Sequence, residues 1–261
     1  MTCRETPKAR MLAALQGEAS GGLPAAPAYP SLFLADFARA YYVEQYRLRT
    51  RGLERYPVDH EEDTRFRAQA LYQSYGVFKS RPDWIEVGRG PSRAWAERTD
   101  IVVVDGEPHY EDKESGVRLP MADVPLPRGD AGPVPASAAL EDLWDTSNEF
   151  QSNQQVDEYL PILSSAELLA RGDMGLPKSV VADYGDEYFI ETVLDTPFSD
   201  AYDLLGFQGL MLIQHDRPAV FHHLLARKLS QTQEVMGAWA AAGIHGVFVE
   251  ECFTGADLIS P

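Results

Sequence analysis

The chain has 261 residues, 44% of them hydrophobic and 24% charged, a composition typical of a folded globular protein. Its net charge of -17 repels nucleic-acid phosphates and anionic membrane surfaces. It has neither a signal-peptide core nor an apolar run of about 18 residues. Cys3 and Cys252 are too few cysteines for a disulfide framework. We therefore expect a cytoplasmic protein with no nucleic-acid or membrane partner.

The first hundred residues predict mainly helices. Residues 4–17 form a short amphipathic pattern that ends at Gly17, and the segment through Arg55 is mostly helical in character. Residues 66–75 predict a further helix. Residues 83–85 follow a proline and are interpreted as an edge strand.

Residues 99–121 predict a β-hairpin. Their β-rich runs are interrupted by Asp105–Gly106 and Ser115–Gly116, two dipeptides that favour tight turns. The proline-rich stretch that follows, residues 123–138, predicts a surface loop.

The second half alternates between helical and strand-like patterns. This order is typical of βαβ units with a parallel sheet. The predicted elements are helices at 140–149, 164–171, 199–212 and 216–242, and a strand at 179–181.

The last residues predict a buried strand, a polar loop and the start of a helix. Gly246–Val249 form the strand, and Glu250, Glu251 and Cys252 follow at its end, where reactive groups collect in α/β proteins. Ser260–Pro261 is a good helix start without a helix after it. The sequence therefore suggests an incomplete protein.

Three segments carry a resemblance to a known family: RMLAALQGE, TPFSDAYDLLGFQGLMLIQHDRPAVFHHLL and AAGIHGVFVEECFTGADLISP. They resemble the uroporphyrinogen decarboxylase superfamily, which includes porphyrinogen decarboxylases and methylcobamide-dependent methyltransferases. The resemblance implies an α/β fold, a (β/α)8 TIM barrel incomplete at its C-terminus. Residues 1–261 would form one truncated barrel domain with the hairpin as an insertion.

The resemblance implies catalytic roles for Asp83, Tyr202 and Cys252. Asp83 would correspond to the aspartate with which decarboxylases bind pyrrole N–H groups, although a turn residue explains it as well. Tyr202 lies where decarboxylases have a tyrosine that donates a hydrogen bond to substrate, and simple packing is its alternative. Cys252 lies where they carry a serine, and its alternative is a small buried apolar residue.

Substrate binding is predicted for Arg39, Glu250 and Glu251. Porphyrinogen decarboxylases grip substrate carboxylates with two arginines of an RQAGRY segment, since guanidinium groups bind carboxylates in a bidentate manner. The corresponding stretch here reads FLADFARAYYVEQYR, and Arg39 and Arg47 lie nearby without the family spacing. Decarboxylation of uroporphyrinogen is therefore less favoured than methyl transfer.

Methyltransferases of this superfamily activate a thiol on zinc held by a His-x-Cys pair and a distant cysteine. Such ligands would lie beyond Pro261, so no cofactor is evident in this chain, and zinc and a corrinoid belong to an intact methyltransferase. The sequence leaves any metal ligands of this chain unknown.

We expect an enzyme that acts on a tetrapyrrole or a corrinoid-linked substrate, with corrinoid-dependent methyl transfer preferred. Its partner would be a small tetrapyrrole or a corrinoid protein, and a homodimer is compatible with the sequence. The alternatives are uroporphyrinogen decarboxylation in porphyrin biosynthesis, a lyase reaction, and a non-catalytic fragment or binding module.

Overall fold

A computed structural model of the chain describes residues 6–18, 22–26, 30–78, 81–123 and 150–250. For residues 30–33 and 250 it describes the backbone alone. The chain divides into two compact units. The first comprises residues 1–135, 169–192 and 239–246, and the second comprises residues 136–168, 193–238 and 247–261.

The first unit begins with helix α1, Pro7–Leu15. The Thr6 side chain accepts a hydrogen bond from the backbone N–H of Ala9, and Pro7 occupies the first turn, two features that favour a helix start. Gly17 adopts a φ of 73°, which stops the helix. The predicted helix at residues 4–17 is confirmed for the described residues.

Four strands of the first unit form an antiparallel sheet in the order β1-β3-β4-β5. Between β3 and β4, Asp105 and Gly106 have φ values of 52° and 83°, as a two-residue turn of this hairpin type requires. The predicted hairpin at residues 99–121 is confirmed. The strands are β1 Arg55–Pro57, β3 Thr99–Val104, β4 Glu107–Asp112 and β5 Arg118–Pro120.

Three helices accompany this sheet in the sequence: α2 Pro30–Arg49, α3 His60–Ser74 and α4 Arg93–Arg98. A short 3₁₀ turn, Tyr75–Val77, follows α3. Helices and sheet share one apolar core, to which three tyrosines contribute. It consists of Tyr42, Val43, Tyr46, Val58, Ala70, Ala96, Ile101, Tyr110 and Met121.

A second, three-stranded sheet has the order β2-β6-β7, with β2 at Trp84–Glu86, β6 at Phe189–Asp195 and β7 at Gly246–Glu250. Strands β2 and β6 are parallel, as the alternation of elements predicted. Strand β6 itself was not predicted. The strand predicted at residues 179–181 is wrong, because these residues lie in helix α7, Gly175–Tyr184, which buries Leu176 and Val180 four positions apart.

The predicted (β/α)8 TIM barrel, incomplete at its C-terminus, is wrong for the part of the chain that the structure describes. A barrel of this type needs eight parallel strands that close on themselves. The described strands instead form two separate sheets. In each sheet, the first and the last strand pair with only one other described strand. The hairpin expected as an insertion pairs with β1 and builds a sheet of its own, which takes these strands out of any parallel arrangement.

The second unit is helical for most of its described length. It contains α5 Asn153–Tyr159, α8 Pro197–Asp216, the first half of α6 Ser165–Arg171 and most of α9 Pro218–Ala242. Helices α8 and α9 confirm the predictions at 199–212 and 216–242. Gly206 interrupts α8 with φ 66° and ψ 168°, a conformation essentially restricted to glycine. The core consists of Phe150, Val156, Leu160, Ala201, Leu205, Leu210, Ile213, Val220, Phe221 and Leu224.

Two predicted segments, the helix at 140–149 and most of the loop at 123–138, lie outside the described residues. Among the described helices, none combines the length and the apolar character that crossing a membrane requires.

Candidate functional site

Asp83, the first predicted catalytic residue, directly precedes β2 and is 3% exposed. Its carboxylate accepts hydrogen bonds from the Arg10 guanidinium and from the backbone N–H of Ala25, the latter at 2.7 Å. Its backbone N–H also donates to the Ala25 carbonyl at 2.8 Å. The hydrogen bonds of Asp83 thus connect α1 and residues 22–26 to the start of β2. A catalytic role for Asp83 stays a prediction.

Arg39 and Tyr202 lie on helices. Arg39, in α2, forms an ion pair with Asp36 one turn earlier, and its contacts do not include Asp83. Tyr202 lies in α8, where it is half-buried and packs against the core of the second unit. Their predicted roles remain predictions.

The three residues predicted at the end of the last strand are largely outside the described part. Glu250 is the last residue of β7, one position beyond the predicted strand Gly246–Val249, and only its backbone is described. Glu251 and Cys252 lie beyond the described residues. Among the described residues, no group of three or more His, Cys, Asp or Glu side chains is arranged to hold a metal ion.

The structure draws attention to a different place, the parallel pairing of β2 and β6 in the first unit. Glu86, the last residue of β2, is the direct partner of Glu191 in β6. Neighbouring strands lie about 4.8 Å apart, and paired residues point to the same face. Two carboxyl groups therefore lie side by side, while Ile85 and Ile190, one position earlier, occupy the opposite, buried face.

Glu191 is an unusual buried carboxyl group, with 3% of its surface exposed. Burial, and secondly the negative charge of Glu86, raise its pKa from 4.5 to about 8. Burial disfavours the charged form, and a like charge nearby acts in the same direction. Glu191 therefore carries a proton at neutral pH, whereas an ordinary glutamate does not.

Tyr75 completes this cluster. It follows α3 in the 3₁₀ turn and is 2% exposed. Its hydroxyl accepts a hydrogen bond from the Glu86 backbone N–H at 2.9 Å. Burial first, and then the nearby Glu86 and Glu191 charges, raise the pKa of Tyr75, so its hydroxyl keeps its proton. We call Tyr75, Glu86 and Glu191 the carboxyl cluster.

The chain around the carboxyl cluster is held by backbone hydrogen bonds. The Val87 N–H donates to the Glu191 carbonyl at 2.9 Å, which extends the pairing beyond β2. In the following loop the Gly90 N–H donates to the Asp173 carbonyl, also at 2.9 Å. A Cβ on Gly90 would lie 3.0 Å from Leu176 Cβ, so this loop approaches α7 closely. The cluster therefore lies at the carboxyl end of β2, and the carboxyl ends of parallel strands are the usual place for reactive groups in α/β sheets.

Sequence reasoning missed Glu86 and Glu191. A signal was present, since Glu191 interrupts an apolar and β-branched run, residues 188–194, that is typical of a buried strand. Charged residues in such runs are rare, and strongly shifted carboxyl groups concentrate at functional sites. The pairing of Glu191 with Glu86 was not visible, because 104 residues separate the two strand positions.

No known family profile matches the chain, and no curated protein matches it in sequence. Its fold is similar to that of a solved structure described as a methyltransferase from Methanosarcina mazei. The TM-score is 0.50 with 16% sequence identity over 98% of this chain. The chain spans 62% of the length of that protein. The comparison shows a similar fold, and membership of the uroporphyrinogen decarboxylase superfamily stays a prediction.

Proposed function

We propose that this chain belongs to an enzyme that transfers methyl groups. The observation that carries the proposal is the similarity in fold to a methyltransferase, which extends over 98% of the chain. The carboxyl cluster adds a chemical argument, since a carboxyl group whose pKa lies near neutral pH is suited to acid–base chemistry. Following the resemblance in sequence, we further propose a corrinoid-linked methyl carrier as the substrate.

In this proposal the chain positions substrates and moves protons. A corrinoid, where bound to the intact protein, would supply the methyl group. The chain's contribution is a rigid β2–β6 frame and titratable groups at its edge. The described residues offer no ligand set for zinc, so we assign the metal no step here.

Uroporphyrinogen decarboxylation is the weaker alternative. A substrate with many carboxylates needs free cations. Arg39 is paired with Asp36, and Arg47 is paired with both Glu44 and Glu107. The two arginines that resemble the decarboxylase pair are therefore already engaged with carboxylates of the chain.

The test is to incubate the purified 261-residue chain with methylcobalamin and a thiol, and to follow the visible spectrum of the corrinoid together with the methylated thiol by mass spectrometry. We expect catalysed demethylation of the corrinoid with matching thioether formation. Catalysis of carboxyl loss from uroporphyrinogen instead would support the decarboxylase alternative. Binding of methylcobalamin without turnover would favour a binding module and contradict the proposal.

A further inference from the structure

His245, the residue directly before β7, connects helix α1 to the second sheet. Its Nδ1 accepts a hydrogen bond from the backbone N–H of Ile190, in β6, at 2.9 Å. The Nζ of Lys8, in α1, lies 3.0 Å from its Nε2 and donates to the Gly185 carbonyl at 2.7 Å. The Phe189 ring packs beside the imidazole, with 5.6 Å between the ring centroids. One imidazole thus lies between the N-terminal helix and the middle strand of the described three-stranded sheet.

The hydrogen bond from Ile190 limits the protonation state that this arrangement accepts. A backbone N–H can only donate, so Nδ1 must be the unprotonated nitrogen of a neutral ring. A second proton would lie on Nδ1 and point at the Ile190 N–H, and two donors would then face each other across 2.9 Å. It would also place a positive imidazolium 3.0 Å from the Lys8 ammonium. The observed geometry is therefore incompatible with a protonated His245.

The groups around the ring act on it with different signs. Burial lowers the pKa of His245 from 6.5, the nearby Lys8 charge also lowers it, and the Asp186 charge acts in the opposite direction. Asp186 lies in the turn before β6, and β6 itself contributes the uncharged Phe189 and Ile190 to this contact. The balance favours the neutral ring, in agreement with the hydrogen-bond geometry.

Helix α1 depends on its contacts with the rest of the first unit. Its 9 residues are too few for a helix that is stable in isolation. Met11 is buried, and the Arg10 guanidinium pairs with Asp83. The Lys8 side chain supplies further polar contacts, to His245 and to a backbone carbonyl. Because α1 is short, the loss of one of these contacts should shift the helix toward detachment.

We propose that His245 is a pH-sensitive switch for α1, and that the helix detaches from the first unit when the imidazole takes up a proton. Detachment also separates Arg10 from Asp83, the carboxylate that precedes β2. The sign follows from linkage, because His245 has its ordinary pKa of 6.5 when α1 is detached and a lower pKa when α1 is bound. Binding of α1 is therefore complete above pH 6.5 and weakens as the pH falls below it.

The Lys8 amide reports the bound state of α1 directly. Its N–H donates to the Glu187 carbonyl at 2.9 Å, and the first turn of a detached helix offers it no acceptor. We expect its protection against hydrogen exchange in the full chain, corrected for the intrinsic rate, to fall by up to about 25-fold between pH 7 and pH 5. Amides of β3 and β4 should keep their protection, which distinguishes detachment from unfolding. Constant protection of Lys8 over this range overturns the proposal.

Two variants identify the titrating group. In His245→Asn the carboxamide oxygen can still accept from the Ile190 N–H but cannot be protonated at these pH values, so the pH dependence should disappear. The control His215→Asn removes an imidazole whose side chain is 89% exposed and should leave the pH dependence unchanged. The same pH dependence in His245→Asn as in the wild type overturns the proposal.

Nitrogen-15 spectra of the histidine rings test the proposal in the wild-type chain, without a variant. We expect the neutral ring of His245 to carry its proton on Nε2 at pH 7, and to titrate together with the loss of Lys8 protection. A proton on Nδ1 at pH 7, or a His245 that is already protonated there, overturns the proposal.

Discussion

Two buried polar clusters in the first unit differ in how completely their groups are paired. The first, here called the tyrosine network, joins α2, α3 and β4. The Arg67 guanidinium donates to Asp63 at 2.6 Å, and the Tyr46 hydroxyl donates to the same carboxylate at 2.9 Å. Arg67 also donates to the Tyr42 hydroxyl at 2.8 Å, and the Tyr110 hydroxyl donates to Tyr42 at 3.0 Å.

The carboxyl cluster has the opposite character. It places two carboxyl groups side by side, and no described residue accepts the proton of the Tyr75 hydroxyl. A fully paired network stabilises and fixes a fold, whereas an incompletely paired one costs stability and is kept for a reason. The comparison shows that burial alone does not distinguish the two clusters, whereas the completeness of their hydrogen bonding does.

Breaking the tyrosine network should have the largest effect. Asp63→Asn leaves the buried Arg67 charge without its carboxylate, which we expect to lower the free energy of unfolding by about 3–5 kcal/mol. Urea unfolding at pH 7, followed by circular dichroism, measures the loss. The control Asp36→Asn removes an exposed carboxylate and should change stability little. A loss for Asp63→Asn no larger than that of the control would show that the network does not support the fold.

Glu191→Gln should have the next largest effect, with the opposite sign. Because the folded pKa of about 8 lies above the ordinary 4.5, the contribution of Glu191 to stability is complete below pH 4.5 and is lost as the pH rises through 8. The glutamine variant cannot ionise. We therefore expect it to be more stable than the wild type by roughly 3 kcal/mol at pH 7 and equally stable near pH 4. Urea titrations at both values test this, and a destabilised variant at pH 7 would contradict it.

Asp83→Asn tests a paired carboxylate at the opposite end of β2. The change removes the charge that the Arg10 guanidinium meets, which we expect to cost about 1.5–3 kcal/mol and to loosen α1. Hydrogen exchange of the amides in Pro7–Leu15 should accelerate. Unchanged exchange together with lost activity would instead assign Asp83 the catalytic role that the sequence predicted.

The smallest expected effect is the difference in stability between two tyrosine-to-phenylalanine variants, one in each cluster. Tyr46→Phe removes a hydrogen bond to the Asp63 carboxylate, which is paired with Arg67, so we expect a loss of about 1.5–3 kcal/mol. Tyr75→Phe loses the bond from the Glu86 N–H but also removes a donor without an acceptor, so its cost should be about 1 kcal/mol or less. Thermal unfolding of the two variants in parallel would detect the difference. Equal costs would mean that the Tyr75 proton is satisfied after all.

The sequence predicted local structure well where a strong local signal exists. The turn at Asp105–Gly106, the end of α1 at Gly17 and the end of α9 before Gly243 all follow from residues that favour or tolerate a positive φ. Strand β6 was missed and a strand was wrongly expected inside α7, because short apolar runs suit either element.

The candidate site was not visible in the sequence for a different reason. Four of the six predicted site residues were chosen from segments that resemble a family or from the end of the last strand, and none of the six belongs to the carboxyl cluster. Glu86 and Glu191 become a site only when β2 and β6 pair in one particular register. A shift by one residue would place Glu86 beside an apolar side chain and remove the like-charge contact.

By itself, the sequence determined several helices, among them α1, α8 and α9, the hairpin, the net negative charge and the strand at Gly246, since each depends on neighbouring residues or on composition. Only the tertiary structure decided that the strands form two separate sheets instead of a closed barrel, and that two glutamates share one edge. Strand pairing joins residues that are distant in the chain, and no local pattern specifies which partner or register is chosen. The same pairing removes Glu191 from water and sets it beside Glu86, and so gives an ordinary glutamate its unusual pKa.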